Sequence, residues 1–131
     1  MTDAITAAKS ALDAMTVDMA VSAGNIANLD TDGYQAQRVN LSTAEDNQGV
    51  QVASVTRDTS PGSLRPEPLR MTSTGDSVDI SDAARNMVET SNVDLVRESV
   101  SMVEASRGFE ANVAVIRTQD QMAGALLDMR V

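Results

Sequence analysis

Residues 22–39 read SAGNIANLDTDGYQAQRV, and how this stretch is read decides the fold. Within it, Asn28, Asp30, Asp32 and Gly33 occupy the first, third, fifth and sixth places of a calcium-binding EF-hand loop. Such a loop needs a bidentate Glu at its twelfth place and a helix directly after it. The twelfth place counted from Asn28 is Val39, and YQAQRVNL (34–41) reads as a strand. The strongest ligand is therefore missing. The other reading is a helix stop. Asn28 ends a helix, Asp30 and Asp32 favour Asx turns, and Gly33 supplies a left-handed residue. The stretch is read as helix, turn and strand, and no metal is expected.

Upstream, the apolar or small positions are Met1, Ile5, Ala8, Leu12, Met15, Met19, Ser22, Ile26 and Leu29. Their spacings alternate four and three without a break, which is the heptad of a two-helix seam. A helix of about 27 residues, roughly 40 Å long, is predicted to end near Asn28. A single amphipathic bundle helix would also show an apolar face. The regularity of the spacing favours the seam.

Downstream, all three prolines lie between residues 60 and 69. NQGVQVASVTRD (47–58) alternates, with Val50, Val52 and Val55 at the apolar positions, and is predicted to pair with 34–41. Ser60-Pro61-Gly62 is a turn, RPEP (65–68) is extended, and SVDIS (77–81) is a further short strand. Residues 30–86 thus form a small β-rich insertion.

The last zone has no proline from Val93 to Met129. Leu95, Met102, Phe109 and Ile116 recur every seven residues. Val96 and Val103 flank them, and Val113, Ala123 and Leu127 continue the stripe. A helix of about 37 residues, roughly 55 Å long, is predicted, with Ser91 and Asp94 spaced like a capping box. Gly108 and Gly124 each weaken it by about 1 kcal/mol relative to Ala, unless they allow another helix to approach closely. The expected architecture is mainly α. Long helices in 1–29 and 87–131 pair as a coiled-coil-like hairpin around the insertion.

Composition narrows the functional classes. The net charge is −9 and no basic stripe occurs, so neither nucleic acid nor an anionic membrane surface is an expected partner. No apolar run is long enough for membrane insertion. With no His and no Cys, the commonest general base, zinc ligand and thiolate are missing. Ser and Thr are plentiful but lack the usual activating base. No catalytic, metal or cofactor-binding residue is proposed. The chain begins Met1-Thr2-Asp3, with no basic and apolar leader, so no cleaved secretion signal is expected. Aromatic content is 2 %, so apolar burial must come from Ala, Val, Leu, Ile and eight Met. Met15, Met19, Met102, Met122 and Met129 could serve an adaptable partner groove, but simple seam packing explains them as well.

The same stretch that set the fold resembles the N-terminal signature of bacterial flagellar basal-body rod and hook proteins. Asn25, Ile26, Ala27, Asn28, Thr31, Gly33 and Tyr34 match it. Gly24 stands where the family usually has Asn, and Asp32 where it has Pro. Residues 47–64 are similar to the strand that follows in the longer rod and hook members. Residues 91–129 resemble the family's C-terminal helix, with Asn92, Val93, Asp94, Phe109 and Asn112 among the matching positions. The short insertion is more like that of a proximal rod protein.

The resemblance implies a structural subunit of the flagellar basal-body rod, polymerising through its terminal helices into the axial tube. Its implied partners are other rod and hook subunits and copies of itself. It would leave the cell through the flagellar type III export apparatus, without a cleaved signal, to the periplasm-spanning rod. The interface positions expected from the two stripes are Leu12, Met15, Met19, Ile26, Val100, Phe109, Ile116 and Leu127. The alternative is a two-helix coiled-coil adaptor or export chaperone that binds a partner helix.

Overall fold

A computed structural model of the chain describes residues 2–44, 49–66 and 87–129. The first helix, α1, spans Thr2–Ala27. The hairpin strands β1 (Gln37–Thr43) and β2 (Val50–Arg57) follow, then the short β3 (Leu64–Pro66) and β4 (Met87–Glu89). The last helix, α2, spans Leu95–Asp128. Two antiparallel two-stranded sheets, β1–β2 and β3–β4, therefore sit between two long helices. The expected strand at 77–81 lies outside the described residues.

The helices run antiparallel. Met15 sits against Gly108 and Asn112, whereas Asp18, one turn further along α1, lies near Glu98 and Glu104. The heptad positions supply this contact: Ala8 and Ser22 are each 3 % exposed, and Leu12, Met15, Met19 and Ile26 are half-buried. The two α2 glycines differ. A side chain at Gly108 would run into the end of Met15, so this glycine does permit close approach. Gly124 has open space around it.

α1 carries a second stripe that hydropathy did not reveal. Ser10, Ala14, Val17 and Val21 face the β1–β2 hairpin. These residues are small or weakly apolar, so they allow a sheet to lie close to the helix. Gly49, at φ +100°, packs against Ala7 and Ser10, and the Val50 amide donates to Ser10 Oγ at 3.2 Å. The core is correspondingly slight. Among the described residues, the buried apolar ones are Ala8, Ala14, Ala36 and Ala105.

The hairpin register explains an irregularity in the sequence. Val39 pairs with Val55 and Leu41 with Val52, with a shift between Asn40 and Leu41. One extra residue in β2 is thus absorbed as a bulge, which returns Val55 to the Val52 face. Strict alternation would have put it on the other one. The start of α2 is also later than expected. Asp94, not Ser91, is the N-cap, with Oδ1 accepting from the amides of Val96 at 2.9 Å and Arg97 at 3.3 Å. Ser91 Oγ instead accepts from the Val93 amide.

Candidate functional site

At the end of α1 the helix closes as its residues dictate. Asn28 Nδ2 donates to the Gly24 carbonyl at 2.8 Å, and the Thr31 amide donates to the Asn28 carbonyl. Thr31 Oγ1 donates to Asn28 Oδ1 at 3.2 Å. Gly33 takes φ +67°, and its amide donates to the Glu89 carbonyl at 2.8 Å. Asp32 pairs with Arg65 at 2.8 Å. Of the residues that mimic an EF-hand, Asn28, Asp32 and Gly33 are thus engaged in turn and strand contacts.

Just beyond, two asparagines fasten the chain. Asn25 is 0 % exposed. Its Oδ1 accepts from the Gln37 amide at 2.8 Å and from the Tyr34 hydroxyl at 3.2 Å, while Nδ2 donates to the Gln37 carbonyl at 2.8 Å. Asn92 does the same from the other end of the chain. Its Oδ1 accepts from the Ala36 amide at 2.7 Å, and its Nδ2 donates to the carbonyls of Asp58 and Ser60, each at 2.8 Å. The Asn92 amide donates to the Tyr34 carbonyl, and the Asp58 amide to the Ala36 carbonyl. Segment 34–37 is therefore held from both sides. An amide side chain suits this task because it offers a donor and an acceptor at one short reach. The clasp joins the end of α1, both hairpin strands and the approach to α2.

Asp58 adds charge to the clasp. Hydrogen bonds from Ser60, then the nearby Arg38 and Arg97 guanidinium groups, hold its carboxyl below the usual carboxylate range. Arg38 approaches it at 3.7 Å. The opposite arrangement lies where α1, β1 and α2 meet. There Asp18, Ser22, Arg38, Arg97 and Glu98 line a cleft of about 230 Å³, and Glu98 is only 3 % exposed. Burial, then the Glu98 and Glu104 carboxylates, push Asp18 above its ordinary value. Ionising Asp18 therefore opposes folding. Its favourable contribution is complete below the ordinary carboxylate pKa of about 3.9 and is lost as pH rises through the raised value. Asp18→Asn should consequently raise the denaturation midpoint at pH 7. The advantage should shrink as the pH is taken below about 4, where both chains are neutral at this position. A midpoint that falls at pH 7 would contradict this.

The expected interface residues separate into two groups. Leu12, Met15, Met19, Ile26, Phe109 and Ile116 are half-buried. Val100 and Leu127, at 52 % and 72 % exposed, lie outside the contact between the helices. Of the matched motif residues, Asn25, Asn28, Thr31, Gly33, Tyr34 and Asn92 all take part in the clasp or its turn, and Ile26 and Val93 are half-buried beside it. Sequence reasoning read Gly62 only as a turn residue and did not single out Glu89. The Gly62 amide donates to Glu89 Oε1 at 2.7 Å, and a side chain on Gly62 would strike the Thr90 carbonyl. Among the described residues, no group of three or more His, Cys, Asp or Glu could hold a metal ion. No helix among them is long and apolar enough to cross a membrane.

Comparison with known proteins bears on both ends of the chain. Residues 5–35 match the model of the flagella basal body rod protein family. Residues 84–129 match that of the flagellar basal body rod FlgEFG protein C-terminal region. The flagellar basal-body rod protein FlgC of Borreliella burgdorferi is 34 % identical over 141 residues, covering 90 % of each chain. FlgC of Escherichia coli is 35 % identical over 125 residues, covering 88 % of this chain and 87 % of its own. The flagellar hook protein FlgE of Salmonella typhimurium is 44 % identical over only 43 residues, 33 % of this chain and 11 % of its own.

Proposed function

Because the chain belongs to the flagellar basal-body rod protein family, we propose that it is a structural subunit of the rod, polymerising through its terminal helices. The observation that carries this is the joint occurrence of the whole-length likeness to FlgC and apolar side chains left open along α2. Leu95, Val96, Val100, Val103, Leu126 and Leu127 are all at least 47 % exposed. Apolar surface of this extent on a long helix is expected to be covered by neighbours. The clasp would hold the hairpin and helices at a set angle, so that each subunit presents the same surfaces to the next. Other rod and hook subunits are the proposed partners, with the basal body as the location. No catalytic role is assigned.

Export in an unfolded state through the flagellar type III apparatus belongs to the same reading. It is supported by the slight core. Among the described residues the buried apolar side chains are four alanines, a core small enough to suit a chain that unfolds for transit. The adaptor reading is less well supported, because the relatives matched along most of their length are named rod proteins.

Phe109 offers a test. It is half-buried within the chain. Complete burial of a Phe makes truncation cost about 3–5 kcal/mol. Phe109→Ala should cost the free subunit only part of that, about 1–2 kcal/mol. The remainder should appear on assembly, as a loss of incorporation into basal bodies and of swimming in a strain that lacks the wild-type gene. Normal incorporation of the variant would count against assembly through this face.

A further inference from the structure

Met15 is seated where α1 and α2 approach closely. A β-carbon on residue 108 would strike Met15 Cε and lie 2.9 Å from its Sδ, so the thioether fills the space that Gly108 leaves. Asn112, one turn further along α2, completes the seat. Its Nδ2 donates to the Gly108 carbonyl at 2.8 Å and to Met15 Sδ at 3.8 Å, which uses both amide hydrogens. Met15 is nonetheless half-buried rather than enclosed. A sulfur that small reagents can approach thus lies in a contact that joins the two helices.

We propose that Met15 is a reversible oxidation site, at which a hydroperoxide converts the thioether to the sulfoxide and so loosens the contact of α1 with α2 at Gly108. The inference does not depend on the rod reading. In the step itself, the sulfur lone pair attacks one oxygen of the hydroperoxide. The S–O bond forms as the O–O bond breaks, and sulfur gives up two electrons. The hydroperoxide's proton passes to the departing oxygen, which leaves as water or an alcohol. A thiol-dependent sulfoxide reductase reverses the change. The consequence follows from the seat. A thioether is apolar and flexible and packs well against bare backbone, whereas a sulfoxide is polar and carries one more atom. Asn112 offers its oxygen a single N–H. The seam supplies no further hydration, so Met15 is drawn away from Gly108 toward water. Met87, Met122 and Met129 stand 42–75 % exposed, and their oxidation leaves the contact in place. Met19 and Met102 are half-buried, and Met15 must be told apart from them.

The chain has no cysteine, so dilute hydrogen peroxide acts on its methionines without thiol side reactions. The purified full chain is treated, sulfoxide at each methionine is read by peptide mass spectrometry, and the urea midpoint is read by circular dichroism. The midpoint should fall by about 0.5–1 M as Met15 converts. Met15→Leu keeps the volume and apolar character but has no sulfur to oxidise. Under the same treatment it should hold its midpoint while the other methionines convert. Equal losses in the two chains would assign the effect to another methionine and overturn the inference. Full conversion of Met15 with no loss would do the same, as would a Met15 that stays reduced in the folded chain after Met122 and Met129 have converted. If Met15→Leu does not fold, the oxidised wild-type chain is treated with a sulfoxide reductase and dithiothreitol. Recovery of the midpoint in step with Met15 is then the expected result, and recovery in step with Met19 or Met102 contradicts it.

Discussion

Asn25→Ala should loosen the whole joint and destabilise the folded chain by about 2–5 kcal/mol. The size follows from what is left behind. Both backbone groups of Gln37 lose their side-chain partner, and the Tyr34 hydroxyl loses its acceptor. A buried polar group without a partner costs about 1–3 kcal/mol, well above the net value of the bond itself. Asn25 is fully enclosed, so water cannot readily replace the amide. Asn25→Asp separates the two functions of the side chain. It keeps the acceptor but sets a carboxylate against the Gln37 carbonyl, so it should also destabilise at neutral pH and recover in part on acidification. Urea denaturation, with hydrogen exchange of the Ala36 and Gln37 amides, measures both variants. Unchanged midpoints and protection would show that the clasp contributes nothing. Asn92→Ala should behave alike, since it strands the Ala36 amide and the Asp58 and Ser60 carbonyls.

Gly62→Ala should be nearly as severe, about 2–4 kcal/mol, for a steric reason. The new methyl would collide with the Thr90 carbonyl oxygen and lie 2.9 Å from its carbon. These are backbone atoms and cannot swing aside. Thr90 is held by its amide and its hydroxyl, both donating to the Ser63 carbonyl, at 2.8 and 2.9 Å. Relief would require β3 and β4 to separate. The expected signature is loss of amide protection at Gly62 and Thr90 with α1 little affected. Gly124→Ala is the matched control. Nothing lies within 4 Å of that position, so alanine should stabilise the helix by up to about 1 kcal/mol. Equal effects at the two sites would refute the contact with Thr90.

The helices and the turn between α1 and β1 were legible in the sequence because their signals are local. The heptad from Ile5 to Ile26 needs only periodicity, and the stop at Asn28 to Gly33 needs only turn chemistry. The hairpin was legible from alternation, but its bulge was not, since Val55 appears merely as a valine out of step. The second face of α1 was hidden for a different reason. Ser10 and Ala14 carry little hydrophobic signal, yet small residues are what allows a hairpin to lie on a helix. Gly62 was legible as a turn glycine, whereas its contact with Thr90 joins residues far apart in sequence. Asn25 and Asn92 stood out through family resemblance alone. Their pairing across the clasp is a tertiary fact that no spacing encodes. Val100 and Leu127 fall on the stripes as apolar residues, and only the packing reveals that α1 leaves them uncovered.

The central claim is that this chain is built into the rod. The most direct measurement is quantitative mass spectrometry of basal bodies purified from cells that express it. The account predicts peptides from 2–44 and 87–129 at a level comparable to the other rod subunits in the same particles. A chain abundant in those cells but missing from the particles would contradict it. The paired helices would then serve a partner elsewhere, as the adaptor reading holds.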